Sequence, residues 1–407
     1  MDFDLSEEQI AFRDMAHDWV AKNYPKHRAR ELEALEGQFP YELWKDLAAS
    51  GFHGIGIAEE YGGQGGDSVT QSTLARELAR TLGGLAGVWG VSSFAGGKTL
   101  MRYGTEAQKQ RFLPKLAQGE IRFAISITEP SGGTDLLGAM RSTVTRVSGG
   151  WRVNGQKVWT SGATAADYFV VLGRRAESDG QRSDLTSLIV PADAHGIEIR
   201  PIPKLGMRSF SSCEVFYDNV FVPEDLLVGA EGRGWHQLLP TLNNERILTA
   251  SFALGILDGV LEDAVEYLKT RSAFGQPIGH FQALQEKVAE MVAWQHQSEL
   301  LILRAAWLQS QDRPCGVEAT LAHLVSAGYA NRAADYGIQI LGGMGYSMET
   351  DMQRYWRDSR LFRIAPITEE MARNMLAESR GLPRSFLPGV QDGPPGTHET
   401  QQAEDRR

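Results

Sequence analysis

The chain opens with apolar residues at helical spacing. Ser6-Glu7-Glu8-Gln9 has the form of a capping box, and Ile10, Phe12, Met15, Trp19 and Val20 follow it along one helix. Pro40 opens a second helix carrying Leu43, Trp44 and Leu47. Leu74, Leu78 and Leu82 mark a third, and Thr105 caps a fourth containing Phe112 and Leu116. Near Ile121 the period changes. Ile121, Phe123, Ile125 and Ile127 alternate with small or polar residues, and Ser142 to Val147 alternates up to Gly149-Gly150. Asn154-Gly155, between Trp151-Arg152-Val153 and Lys157-Val158-Trp159, has the form of a two-residue hairpin turn. Strands are also expected at Tyr168–Leu172, Leu185–Val190, Ile197–Ile202 and Val215–Val222. From about Gly234 the helical period returns: Leu248, Leu254, Leu257, Leu261 and Val265 mark one long helix, and Leu284, Val288, Met291 and Trp294 begin another. A third covers about Val317 to Leu341, and a shorter one starts at Glu369.

These patterns predict an α+β chain in three regions. Residues 1–120 form a helical domain and residues 121–233 a small antiparallel β-barrel or sandwich. Residues 234–388 form an antiparallel helix bundle, and residues 389–407, without apolar periodicity, a disordered tail.

Composition narrows the function. At 407 residues, 42% hydrophobic and 23% charged, the chain is an ordinary globular protein, long enough for two or three domains at about 150 residues each. A net charge of −10 without a dense basic block excludes a general nucleic-acid binder. Cys213 and Cys315 are the only cysteines, which disfavours a disulfide framework or a thiolate metal cluster. The acidic start Met1-Asp2-Phe3-Asp4 does not suit a secretory signal, and the uncharged run Thr81–Gly97 is interrupted by glycines and too short to span a membrane. A cytoplasmic protein, or one of an organelle matrix, is expected. The sequence has no dinucleotide-binding Gly-x-Gly-x-x-Gly after a strand, no phosphate-binding Gly-x-x-x-x-Gly-Lys loop, no Gly-x-Ser-x-Gly elbow and no histidine pair at metal-ligand spacing. Glycine is abundant, at 44 residues.

The most unusual segment is Ile125-Ser126-Ile127-Thr128-Glu129-Pro130-Ser131-Gly132-Gly133-Thr134-Asp135. A Gly-rich turn with hydroxyls suits a phosphate or a polar ring edge, although on pattern alone such a cluster is more often an ordinary strand-ending turn. This segment resembles the flavin-contacting turn of the acyl-CoA dehydrogenase family. Three further motifs follow in that family's order. Lys157-Val158-Trp159-Thr160-Ser161 is similar to the strand whose tryptophan packs beside the flavin; Arg271-Ser272-Ala273-Phe274-Gly275, with Phe281-Gln282, resembles its Arg-x-x-Phe-Gly motif; and Gln339-Ile340-Leu341-Gly342-Gly343-Met344-Gly345-Tyr346 resembles its Gly-Gly turn. Trp356-Arg357-Asp358 agrees as well, and the resemblance covers residues 4 to 385.

The resemblance implies FAD as cofactor and α,β-dehydrogenation of an acyl-CoA thioester. It implies cofactor contacts at Ile125, Ile127, Thr128, Thr134, Trp159, Ser161, Arg271, Phe274, Gln282, Gln339, Gly342, Gly343, Thr368 and Glu370, those around Arg271 and Gln339 reaching the FAD of a neighbouring subunit. It places Trp89 and Phe94 at the acyl pocket, although as bulky apolar residues they are at least as readily core, and counts Thr134 with the substrate contacts too. A homo-oligomer, dimer or tetramer, and an electron-transfer flavoprotein as acceptor follow from the same resemblance. In the more widespread arrangement the base is a Glu, and its position here falls on Pro366, which has neither carboxylate nor N–H. A minority branch, including enzymes acting on isovaleryl-CoA, carries the base near the start of the first long C-terminal helix. That position falls on Glu245, with Arg246 beside it as a substrate-orienting charge. Taken alone, Glu245-Arg246 reads first as a charged first helical turn. Pro366 leaves open whether Ala365, Ile367 or the cofactor's ribityl hydroxyl meets the thioester oxygen. Two other readings remain: a flavin monooxygenase or oxidase on the same fold, and a non-catalytic partner subunit.

Overall fold

The computed structural model describes residues 5–175 and 184–383; the expected tail 389–407 lies outside them. The first region is helical: α1 (Glu7–Asn23), α2 (Lys26–Ala34), α3 (Tyr41–Ala49), α4 (Ser68–Leu82), α5 (Gly87–Ser92), α6 (Thr99–Tyr103) and α7 (Glu106–Ala117). Both expected caps form. The Ser6 hydroxyl accepts from Gln9 N while the Gln9 side chain returns to Ser6 N, and Thr105 and Gln108 repeat the arrangement. Alternating polarity did not reveal α2, of whose nine residues only Ala29, Leu32 and Glu33 are buried. The bland run Thr81–Gly97 is helical too, and Ser93–Lys98 forms a π-helical turn between α5 and α6. Its glycines are there for contact: a Cβ on Gly90 would meet the Phe252 ring at 2.7 Å, and one on Gly96 the Phe123 ring at 2.6 Å.

The middle region contains β1 (Phe123–Ser126), the short α8 (Leu136–Ala139), β2 (Thr143–Val147), β3 (Gly150–Ser161), β4 (Tyr168–Arg175), β5 (Leu185–Pro191), β6 (Ile197–Ile202) and β7 (Ser212–Pro223). They form one curled sheet in the order β1-β4-β2-β3-β7-β6, with β5 also on β4. The expected antiparallel barrel is thus a mixed sheet. β4 runs parallel to both β1 and β2 because β1 leads into the long turn and α8 rather than a hairpin. A second correction concerns Asn154-Gly155. The hairpin turns at Ser148-Gly149, where Gly149 has φ +78°, and β3 continues through Asn154-Gly155 as an irregularity in its pairing with β7. Gly155 is required because a Cβ there would fall 2.2 Å from the Ser142 hydroxyl.

The last region holds α9 (Gly234–Thr270), the hairpin strands β8 (Ser272–Ala273) and β9 (Gln276–Pro277), α10 (Gln282–Ser310), α11 (Gly316–Leu341), α12 (Gly343–Tyr346), α13 (Met352–Phe362) and α14 (Glu369–Glu378). Ile247, Ala250 and Leu254 of α9 pack on Ile302, Ala305 and Ala306 of α10 and on Ala319 and Ala322 of α11. Further along, Gly337 of α11 lies against Val260 of α9. α9 and α11 therefore run side by side in the same direction, and their C-terminal ends share one end of the bundle. Among the described residues, no helix is long and apolar enough to cross a membrane.

Candidate active site

The turn after β1 is pinned to β3. Val158 N donates to the Thr128 carbonyl at 2.8 Å, and the Lys157 ammonium, fully buried, donates to the Ile127 carbonyl and to Glu129 Oε1, both at 2.9 Å. Glu129 also accepts from the backbone N–H groups of Arg141 (2.6 Å) and Ser142 (2.9 Å), closing the loop that contains Thr134. Burial pulls the Lys157 ammonium down to about 8, with Glu129 opposing. Burial works to raise Glu129, but the Lys157 charge and these donors hold it below the usual carboxylate range. This pair was not foreseen; a lysine on a strand gives no sign from sequence that its charge is buried.

On that platform Trp159 is 57% exposed and has φ +63°, a strained backbone for a bulky residue. The Ser161 hydroxyl lies 3.0 Å from that of Ser212, and Tyr217 OH donates to Ser126 Oγ at 2.9 Å. Thr134 is exposed, and the place of a Cβ on Gly133 is open space. Ile125, Ile127, Thr128, Trp159 and Ser161 are thus held close by one sheet end.

Helix α9 crosses this end. Leu238 and Leu242 pack with Ile125 and Ile127, and the spacings 238, 242, 245 place Glu245 on the same helix face. Seven residues further, Phe252 meets Gly90 of α5. Glu245 therefore stands between the sheet end and the α5 wall. It is three turns inside α9, which begins at Gly234, so the alternative of a charged first turn does not hold. Among the described residues its carboxyl makes no hydrogen bond or ion pair, and burial pushes it up to about 7, with Arg246 opposing. Arg246 is 6% exposed, donates to Asn243 Oδ1 at 2.8 Å, and has no partner for its Nε among the described residues. Asn244 fixes this turn by donating to Gln71 (3.2 Å) and Gln309 (2.9 Å).

The structure makes Trp89 a core side chain: it is 1% exposed and its indole N–H donates to the Phe52 carbonyl at 2.9 Å. Phe94, 6% exposed, lies in the π-helical turn. Thr368 caps α14 by accepting from Met371 N at 3.2 Å, and Glu370 in its first turn is exposed. Beside them, Ala365 N–H is spent on the Leu361 carbonyl at 2.9 Å, and the Ala365 carbonyl is 3.2 Å from Nε2 of buried His323. Burial pulls His323 down to about 4, so it is neutral, and Arg246 adds to that effect. The Ile367 N–H has no partner among the described residues.

The remaining expected contacts lie elsewhere. Phe274-Gly275 is the tip of the β8–β9 hairpin, both residues having positive φ, and Phe274 is 95% exposed. Arg271 and Gln282 are exposed at the base of that hairpin, Gln282 donating to Glu286. Gln339 and the open Gly342-Gly343 turn are exposed at the C-terminal end of α11. From Glu245 to Thr270, next to Arg271, α9 rises roughly 37 Å. The two groups of expected contacts therefore lie far apart within one chain. Both are nevertheless of the right chemistry: a guanidinium and an exposed ring for a dinucleotide, and glycines that leave room for its approach.

Family models match in order: acyl-CoA dehydrogenase N-terminal domain at residues 6–120, middle domain at 124–220 and C-terminal domain at 232–380. The probable acyl-CoA dehydrogenase YngJ of Bacillus subtilis is 34% identical over 378 residues, 93% of this chain and 99% of that protein. The chain belongs to the acyl-CoA dehydrogenase family. Butyryl-CoA dehydrogenase from Megasphaera elsdenii has a similar structure, with TM-score 0.89 and 30% identity, covering 94% of this chain and all of the other. The FAD complex of PigA is similar at TM-score 0.88 and 25% identity, covering 94% and 100%. This acyl-CoA dehydrogenase family member is a flavoprotein oxidoreductase, and its relatives imply FAD as the flavin.

Proposed function

We propose that the protein dehydrogenates an acyl-CoA thioester to the 2-enoyl-CoA with Glu245 as the α-proton base, in the branch of the family whose base is carried by the first long C-terminal helix. One observation carries the reading. A partly buried carboxyl without a partner among the described residues, shifted to about 7, faces the sheet end where Trp159 is exposed and Thr128 half-buried. The more widespread base position holds Pro366. A carboxylate in that setting is a stronger base than a solvated one, and on taking the α proton it becomes a neutral carboxylic acid. Bound FAD supplies the acceptor for the β hydride.

In this reading Ile125, Ile127, Thr128, Trp159 and Ser161 flank the flavin ring, Thr134, Thr368 and Glu370 hold its polar tail, and Thr134 also borders the CoA. Arg271, Phe274, Gln282, Gln339, Gly342 and Gly343 grip the FAD of a neighbouring subunit, so the working unit is at least a dimer. Phe94 borders the acyl chain, Trp89 backs that wall, and Arg246 orients the substrate through its charge. The Ile367 N–H, the first unspent donor beside Pro366, meets the thioester oxygen. Electrons then pass to an electron-transfer flavoprotein.

Anaerobic mixing with a panel of acyl-CoAs tests this. Wild-type flavin is expected to bleach with one class of thioester. Glu245→Gln slows that bleaching on the order of 10³-fold, and Ile367→Pro slows it where Ile367→Val does not. Bleaching of Glu245→Gln at the wild-type rate would exclude Glu245 as base. Pro366 also suits a monooxygenase or oxidase, which needs no thioester base; flavin reoxidised by oxygen and indifferent to Glu245→Gln would select that reading.

A further inference from the structure

The Trp-Arg-Asp stretch of α13 plays no part in the chemistry above, yet Asp358 is 1% exposed. Its carboxylate accepts two backbone N–H groups from different regions of the chain: Gly84, just before α5, at 2.9 Å, and Met207, in the loop before β7, at 2.8 Å. The seat is made of glycines. A Cβ on Gly206 would lie 2.5 Å from Asp358 Oδ1, and one on Gly83 2.9 Å from Oδ2. Neighbours on α13 reinforce the grip: Arg354 donates to the Leu82 and Thr81 carbonyls, and Arg357 to Glu33 and the Leu205 carbonyl.

What Asp358 fixes leads to the candidate active site. Met207 has φ +52° and starts a turn closed by Phe210 N donating to Met207 O at 3.0 Å. The Lys204 ammonium caps the turn through the Met207 and Phe210 carbonyls. The Phe210 ring, 2% exposed, sits between Gly87 of α5 and Gly162 at the end of β3, where Cβ atoms would meet it at 3.4 and 2.9 Å. The next residues join the flavin strand directly. Gly162 N donates to the Ser211 carbonyl at 2.7 Å, and the Ser161 and Ser212 hydroxyls are 3.0 Å apart.

We propose that Asp358 is a positioning residue: through the Met207–Phe210 turn it sets the separation between the α5 wall and the Trp159–Ser161 end of β3, and so the place of the flavin ring relative to Glu245. A close-packed aromatic wedge between two glycines transmits its position with little slack. Asn at 358 keeps one acceptor but turns an NH₂ toward an N–H donor, so one of the two bonds becomes a repulsion. The inference rests on the proposed flavin site.

The test compares holoenzymes of Asp358→Asn, Phe210→Leu and Glu77→Gln. Glu77 is also 1% exposed and paired, with His17 and Arg80, but touches neither the turn nor the site. All three are expected to melt earlier. Asp358→Asn and Phe210→Leu should also shift the resting flavin absorption band and lower kcat by about tenfold or more, as displacements of a fraction of an ångström do. Glu77→Gln should do neither. A wild-type flavin spectrum and kcat in Asp358→Asn overturn the proposal; if that variant does not fold, the same result in Phe210→Leu overturns it. Wild-type chain that takes up no flavin defeats the flavin reading itself, a distinct failure visible before any variant is made.

Discussion

At the scale of a single residue, Glu245 holds a charge in an unfavourable place. Its pKa is raised from 4.5 to about 7, so the folded chain binds a proton between those values that the unfolded chain has released. Stability contributed at this group therefore falls as pH rises through that window, while the ionised form that the proposed base requires accumulates. Flavin reduction by substrate should rise with pH up to about 7 and then level. Glu245→Gln, inactive, should be no more stable than wild type below pH 4.5 and more stable above 7, by an upper bound of about 3 kcal/mol. Equal melting temperatures of the two at pH 8 would count against a buried, unpaired carboxylate. The sequence singles out Glu245 as a candidate because Pro366 removes the more widespread base position. It could not show the missing partner, which depends on α4, α5, α9 and the sheet meeting at one point.

At the scale of elements, periodicity found the long helices and most strands because each buries one face. It failed where the physical cause was contact rather than pattern. The glycines from Gly83 to Gly97 read as bland, yet several admit close approach of Phe252, Phe123 and Phe210. Asn154-Gly155 read as a hairpin turn, but the chain turns at Ser148-Gly149 and uses Gly155 to clear Ser142. The β1–β3 platform depends on the Lys157–Glu129 pair, whose side chains are 0% and 5% exposed. Removing one member of a buried pair leaves the other uncompensated, which costs roughly 3–5 kcal/mol. Lys157→Met should show that loss in urea unfolding and release flavin; a change under about 1 kcal/mol would mean the pair is solvated.

At the scale of the whole molecule, the separation along α9 decides how the four motifs work. The motifs were legible as short runs of Gly, Arg and aromatic residues, but a sequence has no distance scale that says which of them share a site. The helix places Glu245 with the β1–β3 platform, and the Arg271–Phe274 hairpin with the Gly342-Gly343 turn at the far end of the bundle. In the proposed reading, one working site takes its base from one subunit and its grip on the dinucleotide from another. Co-expressing two inactive chains tests this most directly: Glu245→Gln, and the double variant Arg271→Glu/Phe274→Asp. In the hybrid, one site unites an intact Glu245 with an intact hairpin from the partner subunit, so acyl-CoA oxidation should return. A hybrid as inactive as its parents would contradict the account.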